Sequence, residues 1–273
     1  SALGATGLTV SSLAFGTAPL GDLFGAADDD QGQRAVQQAL EAGITFFDSS
    51  VYYGNGLAEE RLGRALRGRR DDVVLMTKAG RFGPDDFDFS PGRLRASLEE
   101  SLRLLQTDHV DIFLVHDIEF VPLEPVLTDS FAELQRLRDE GECRFIGASG
   151  YPLATLRRVI TETPADVVLS YGHGTLLDGC LDHALLPLAA EHDVAVVNAA
   201  AVCLGLLTPR GSFLADRHPA TPAIKAAAER ARETCRRHDA DVAFLANQYA
   251  IQRGGCPTTV VGTTKPHHLQ AAV

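Results

Sequence analysis

SPGRLRASLEESLRLLQTDHVDIFLVHD, Ser90–Asp117, contains one complete structural unit: an amphipathic helix, a short turn and a strand. Ser90-Pro91 opens the helix in the cap-then-proline order that helix N-termini favour. The strand VDIFLVHD is a β-branched and aromatic run that ends on two polar residues, His116 and Asp117.

Working outward, the same unit recurs. ITFFDSSVYYG (Ile44–Gly54) and VVLMTKAG (Val73–Gly80) are likewise apolar runs with polar C-terminal ends, carrying Asp48, Tyr53 and Lys78. Strands are expected near Leu13–Gly16, Thr45–Asp48, Val73–Lys78, Val110–His116, Arg144–Ser149, Val167–Tyr171, Ala195–Asn198 and Thr259–Gly262. Helical patterns such as GQRAVQQALEAG, AEERLGRALRG and DSFAELQRLRDEG lie between them; the last has Phe131, Leu134 and Leu137 at helical spacing, then Gly141 as a stop. Strands alternating with helices imply a parallel sheet. Eight such units in 273 residues predict an α/β fold, a closed (β/α)8 TIM barrel. The open doubly wound alternative wants a GxGxxG turn after its first strand, which LAFGTAPLG lacks. No domain boundary or repeat interrupts residues 1–273, which read as one barrel domain. The Asp28–Asp30 run reads as a solvated loop.

Composition narrows the partners. A net charge of -11 argues against nucleic acid or an anionic membrane surface. No segment approaches the roughly 20 apolar residues of a membrane span, and the first residues carry no basic, then apolar, leader pattern. The five cysteines are scattered without metal-ligand spacing, so reduced, buried thiols in a cytoplasmic protein are expected, with no metal. A monomer or weak oligomer is expected, because no apolar surface stripe is evident.

In such a barrel the active site lies at the C-terminal strand ends. Asp48, Tyr53, Lys78 and His116 all fall there, at three successive strands. An ammonium near a phenol favours the phenolate, so Lys78 is expected to lower the pKa of Tyr53. Asp48 is expected to pair with Lys78, and His116 to bond the substrate oxygen or Tyr53. The set can move a proton at one alcohol or carbonyl oxygen. Redox chemistry there would require a bound hydride carrier.

GATGLTVSSLAFGT, GITFFDSSVYYGNGLAEERLGRAL, TKAGR, GECRFIGASGY and GLLTP, with the Ser90–Asp117 stretch, resemble the aldo-keto reductases along essentially the whole chain. The resemblance implies a nicotinamide cofactor and a catalytic tetrad matching Asp48, Tyr53, Lys78 and His116. It implies too that the barrel domain, residues 1–273, lacks the extreme N-terminus and the C-terminal tail. FDFS (Phe87–Ser90), HDIEF (His116–Phe120), VVLSYGHG and VVNAAAVCLGLLTP are similar to the family's sugar branch, the L-galactose and the L-fucose or D-threo-aldose 1-dehydrogenases. That branch implies oxidation of the C1 hydroxyl of a cyclic aldose to a lactone. Tyr53 would act as general acid/base, and Asp117 would join Tyr53 and His116 in holding substrate. The alternative is an NADPH-dependent reductase of aldehydes or ketones in secondary metabolism. Pyridoxal-type alcohols and a cofactor-binding regulatory subunit are further readings.

The resemblance also implies cofactor contacts from Gly16, Thr17, Asp48, Ser149, Ser170, Asn198, Leu204, Gly262, Thr263, Lys265 and His268. Three positions depart from the family: Gly150 stands where Asn is common, Ser170 where Gln is usual, and Ala199 where a Tyr often stacks. Leu204 and Tyr171 are the nearby substitutes. Around the adenosine ribose, Gly262 and His268 replace the basic residues of NADPH-preferring relatives, which favours NAD; Lys265 keeps NADP as the alternative.

Overall fold

A computed structural model describes residues 1–212, 214, 218–253, 255–265, 268 and 269. Eight parallel strands close into a barrel in sequence order. They are β1 (Leu13–Gly16), β2 (Phe46–Asp48), β3 (Val74–Ala79), β4 (Val110–Val115), β5 (Cys143–Gly150), β6 (Val167–Tyr171), β7 (Ala195–Ala199) and β8 (Thr259–Gly262). β8 returns to β1, pairing Gly262 with Gly16.

Successive strand residues face opposite sides of the sheet, and that alternation divides the core in two. Ala14, Phe46, Val74, Met76, Ile112, Leu114, Val167, Leu169 and Val197 fill the inside of the barrel. Phe15, Phe47, Leu75, Phe113, Ile146 and Val168 pack outward beneath the helices. The N-terminal segment folds back through an Ala2–Thr9 antiparallel bridge and adds Leu3, Leu8 and Val10 to the inner cluster.

Three details correct the sequence reading. Asp28–Asp30 is not a loop: Asp28 caps helix α1 (Asp29–Glu41) by accepting from the Gln31 N–H at 2.6 Å, and Asp29 pairs with Arg64 at 2.7 Å. Acidic residues are favoured there by the helix dipole. Helix α3 (Pro91–Leu105) does start after Ser90, but the Ser90 hydroxyl makes no capping bond; its own N–H goes to Asp88. Of the cysteines, Cys143, Cys203 and Cys235 are buried as expected, whereas Cys180 is exposed. The helix Phe131–Asp139 ends as predicted just before Gly141, whose φ is +87°.

Candidate active site

The inward alternation decides which strand-end residues reach the mouth. On β2 the inward series is Phe46 then Asp48, on β3 Val74, Met76 and Lys78, and on β4 Ile112, Leu114 and, one residue past the strand, His116. Asp48 and Lys78 form a 2.6 Å ion pair, both buried. The other Lys78 protons go to the Ser49 carbonyl at 2.7 Å and the Tyr53 hydroxyl at 3.2 Å. Burial alone would pull Lys78 down, but the charges of Asp48 and Tyr53 outweigh it and hold the amine protonated. Burial pushes the Asp48 carboxyl up, against the opposing charge of Lys78.

Tyr53 differs from expectation in the direction of its shift. Lys78 does act to lower it, but burial is the larger effect and Asp48 adds to it. The phenol is pushed up to about 12. An ammonium already neutralised by a buried carboxylate cannot stabilise a second anion fully. His116 lies edge-on to Tyr53, ring centroids 5.7 Å apart, and its pKa is pushed down to about 3, chiefly by burial. The imidazole is neutral at working pH.

The backbone at Tyr53 is held by main chain as well. Gly21, in the loop after β1, packs directly on Tyr53–Gly54: a Cβ on Gly21 would stand 2.3 Å from the Tyr53 carbonyl oxygen, and one on Gly54 2.3 Å from the Gly21 carbonyl oxygen. Gly54 also has a φ of +70°.

Asp117 turns the chain after β4 in a left-handed conformation, φ 55° and ψ 59°. Its Oδ2 pairs with Arg81 at 2.5 Å and lies 3.7 Å from His116 Nε2. Its amide N–H donates to the Ser149 hydroxyl at 3.1 Å. Arg81 lies over the Tyr52 ring at 4.3 Å and within 5.5 Å of the Phe87 and Phe120 ring centres. Phe87 and Phe120 stack at 5.1 Å, giving the rim an aromatic wall. The sequence reading did not single out Arg81, although TKAGR placed it three residues beyond Lys78.

The remaining predicted contacts separate into two groups. Gly16, Asp48 and Ser149 face inward at the mouth, and Thr17, just past β1, donates to the Ser49 hydroxyl at 2.8 Å. Ser170 and Asn198 do not reach the mouth. Leu169 and Tyr171 belong to the inner side of β6, and Val197 and Ala199 to that of β7, so the alternate residues Ser170 and Asn198 face the helices. Asn198 there donates to the Gly174 carbonyl at 3.0 Å. These two contacts came from the family resemblance, and a displacement of one residue in aligning a short strand reverses the face. Leu204 sits in a left-handed turn beyond β7. Past β8, Thr263 accepts from the Lys265 N–H at 3.0 Å, Lys265 is exposed, and His268 begins a helical turn on the Lys265 carbonyl.

Where Gly150 lacks a side chain, Glu119 fills the room: its Oε2 lies 3.0 Å from where a Cβ would stand. Its Oε1 accepts from the Tyr151 N–H at 2.9 Å and the Tyr171 hydroxyl at 3.0 Å. Burial, then the charge of Asp117, pushes this carboxyl up.

A nicotinamide ring is compatible with these residues. β2, β3 and β4 present Asp48, Lys78 and His116, whereas the inner positions ending β7, β8 and β1 are Ala199, Gly262 and Gly16. That bare half of the mouth suits a flat ring, with Ser149 as a polar partner for a carboxamide and Tyr171 as the nearest aromatic.

Behind β3, Glu59 of helix α2 (Leu57–Ala65) is fully buried and accepts from the Thr77 hydroxyl at 2.5 Å. Burial raises its pKa from 4.5 to about 7. The folded chain thus holds this proton more tightly than the unfolded chain. Its contribution to stability is full below about pH 4.5 and is lost as pH rises through about 7. Glu59→Gln is expected to flatten that dependence and to exceed the wild type in stability at pH 8, by on the order of 3 kcal/mol. Urea denaturation at pH 5 and pH 8 measures it; parallel curves for the two proteins would refute it.

The closed barrel with an Asp–Tyr–Lys–His cluster at its C-terminal mouth defines an oxidoreductase class: the chain belongs to the aldo/keto reductase family, whose sequence profile matches residues 12–273. Among characterised relatives it is 39% identical to L-galactose dehydrogenase of Arabidopsis thaliana, over 100% of this chain and 86% of the relative. It is 31% identical to D-threo-aldose 1-dehydrogenase of Pseudomonas sp, over 98% of this chain and 90% of the relative. Of solved structures, the holo form of the aldo-keto reductase AKR11C1 from Bacillus halodurans superposes with a TM-score of 0.82 at 26% identity, covering 100% of this chain and 88% of that one.

Proposed function

We propose that the protein is an NAD-dependent aldose 1-dehydrogenase that oxidises the C1 hydroxyl of a cyclic sugar of the L-galactose or L-fucose type to a lactone. The observation that carries this reading is the Tyr53 hydroxyl, bonded to the Lys78 ammonium beside a neutral His116, in a chain similar to two aldose dehydrogenases. A bound nicotinamide dinucleotide supplies the hydride acceptor.

The chain's own groups handle the proton. Asp48 keeps Lys78 charged, and Lys78 stabilises negative charge on the Tyr53 oxygen. As phenolate, Tyr53 accepts the proton of the C1 hydroxyl, and His116 donates to the same substrate oxygen to hold it in line. Asp117 is positioned to accept from a neighbouring sugar hydroxyl while Arg81 fixes its carboxylate. Because Tyr53 is protonated at neutral pH, oxidation is expected to quicken toward alkaline pH.

That same protonated phenol supports a second reading, in which Tyr53 delivers its proton to a carbonyl oxygen and the enzyme works as an NADPH-dependent reductase of aldehydes or ketones. Lys265, exposed past β8, suits the 2′-phosphate that such a reaction would bring; Gly262 and His268 in place of two basic groups support NAD.

A panel of aldoses offered with NAD⁺ or NADP⁺ separates the two. Turnover of L-galactose or L-fucose, faster with NAD⁺, is the expected result. Silence on the panel, with NADPH consumed when carbonyl compounds are supplied, would replace the first reading by the second.

A further inference from the structure

Ser50, in the turn after β2, is fully buried, and its Oγ lies 2.8 Å from His116 Nδ1. It also accepts from the Tyr52 N–H at 3.2 Å and lies 3.2 Å from the Lys78 carbonyl oxygen. A hydroxyl has one proton, so only two arrangements satisfy these contacts. Either Ser50 donates to Nδ1 and the imidazole proton sits on Nε2, or Nδ1–H donates to Ser50 and the hydroxyl turns to the Lys78 carbonyl.

The far side of the ring decides between them. Nε2 faces the Asp117 carboxylate at 3.7 Å. An N–H pointing at a carboxylate is favourable, whereas a lone pair pointing at it is repelled. The Lys78 carbonyl does not need the Ser50 proton, since the Val51 N–H already donates to it at 3.3 Å. The 2.8 Å separation to Nδ1 is also the shorter of the two open to the hydroxyl.

We propose that Ser50 is a positioning residue: by donating to Nδ1 it holds His116 as the Nε2–H tautomer, so that the nitrogen facing the mouth is a hydrogen-bond donor to the reacting oxygen. The role of that donor rests on the proposed function; the tautomer does not. The neutrality of His116, pushed down to about 3 by burial, gives the tautomer its importance, because a protonated ring would present an N–H on both sides whatever Ser50 did.

The test is a nitrogen-15 correlation spectrum of histidine-labelled protein. The chain has nine histidines, so the His116 signals are assigned as those missing from His116→Gln. A protonated Nε2 and a bare, hydrogen-bonded Nδ1 are expected in the wild type. Ser50→Ala is expected to shift the Nδ1 signal and mix the two tautomers, and Ser50→Thr to restore the wild-type pattern. Where a substrate is turned over, Ser50→Ala should lower kcat roughly tenfold with KM nearly unchanged, less than the 10²–10⁴ that acid–base groups themselves supply. Protonated Nδ1 in the wild type, or a Ser50→Ala spectrum identical to it, overturns the inference. The wild-type spectrum needs neither substrate nor variant. Failure of every aldose in the panel would therefore remove the proposed function without deciding this point.

Discussion

Tyr53→Phe is expected to lower turnover by about 10²–10⁴-fold, the range that a positioned proton donor or acceptor contributes, while cofactor binding stays close to wild type. The substitution removes one oxygen. The ring remains wedged beside His116 and Tyr52, with centroids at 5.7 and 6.1 Å, so the loop has no reason to move. Lys78 loses one of three partners and keeps Asp48 and the Ser49 carbonyl. Titration of cofactor fluorescence, alongside steady-state rates, separates the two effects. Residual activity near the wild-type value would reassign the proton to another group, and His116, neutral and adjacent, would be the next to examine.

Lys78→Met is the second large effect, and it acts on folding as well as on rate. Removing the ammonium leaves Asp48 buried with no opposite charge, and breaking a buried pair in this way costs about 3–5 kcal/mol. Chemical denaturation at pH 7 should register that loss. Pairing it with Asp48→Asn removes the stranded carboxylate, so the double variant is expected to recover much of the stability and none of the activity. If the single variant denatured like the wild type, the ion pair would contribute little to the fold, and its strictly buried geometry would have to be explained by chemistry alone.

The barrel was legible because each strand is a short β-branched run and each helix an amphipathic one, and the periods of 2 and 3.6 do not imitate each other. Asp48, Lys78 and His116 were legible for the same reason, since each extends the inward series of its strand. Ser170 and Asn198, which the resemblance implied as cofactor contacts, alternate with the inward residues of β6 and β7, because one residue along a strand exchanges mouth for helix face. Asp28–Asp30 was misread as a loop, though it does face solvent, because composition cannot distinguish a polar loop from a helix cap plus a partner for Arg64. Ser50 and Arg81 were invisible for another reason. Their significance depends on His116 and Asp117, 66 and 36 residues away in the chain, and only closure of the barrel brings them together. Net shifts in acidity were also beyond the sequence, as Tyr53 illustrates: the neighbouring cation can be named in advance, but the depth of burial that outweighs it cannot.

The seam of bare main chain between Gly21 and Tyr53–Gly54 bears on how this barrel can be re-engineered. Loops at a barrel mouth are ordinarily treated as interchangeable cassettes, each swapped or lengthened by itself to admit a new substrate. Here the loops after β1 and β2 meet main chain to main chain at Gly21 and Tyr53–Gly54, a contact with no side chain to trim or rotate, and are joined again by the Thr17–Ser49 hydroxyl pair. A graft that alters one without its mate displaces the phenol along with the loop. The two have to be transplanted as a matched pair, whereas the loops after β3 and β4, which meet through the side chains of Phe87, Phe120 and Arg81, can be diversified residue by residue.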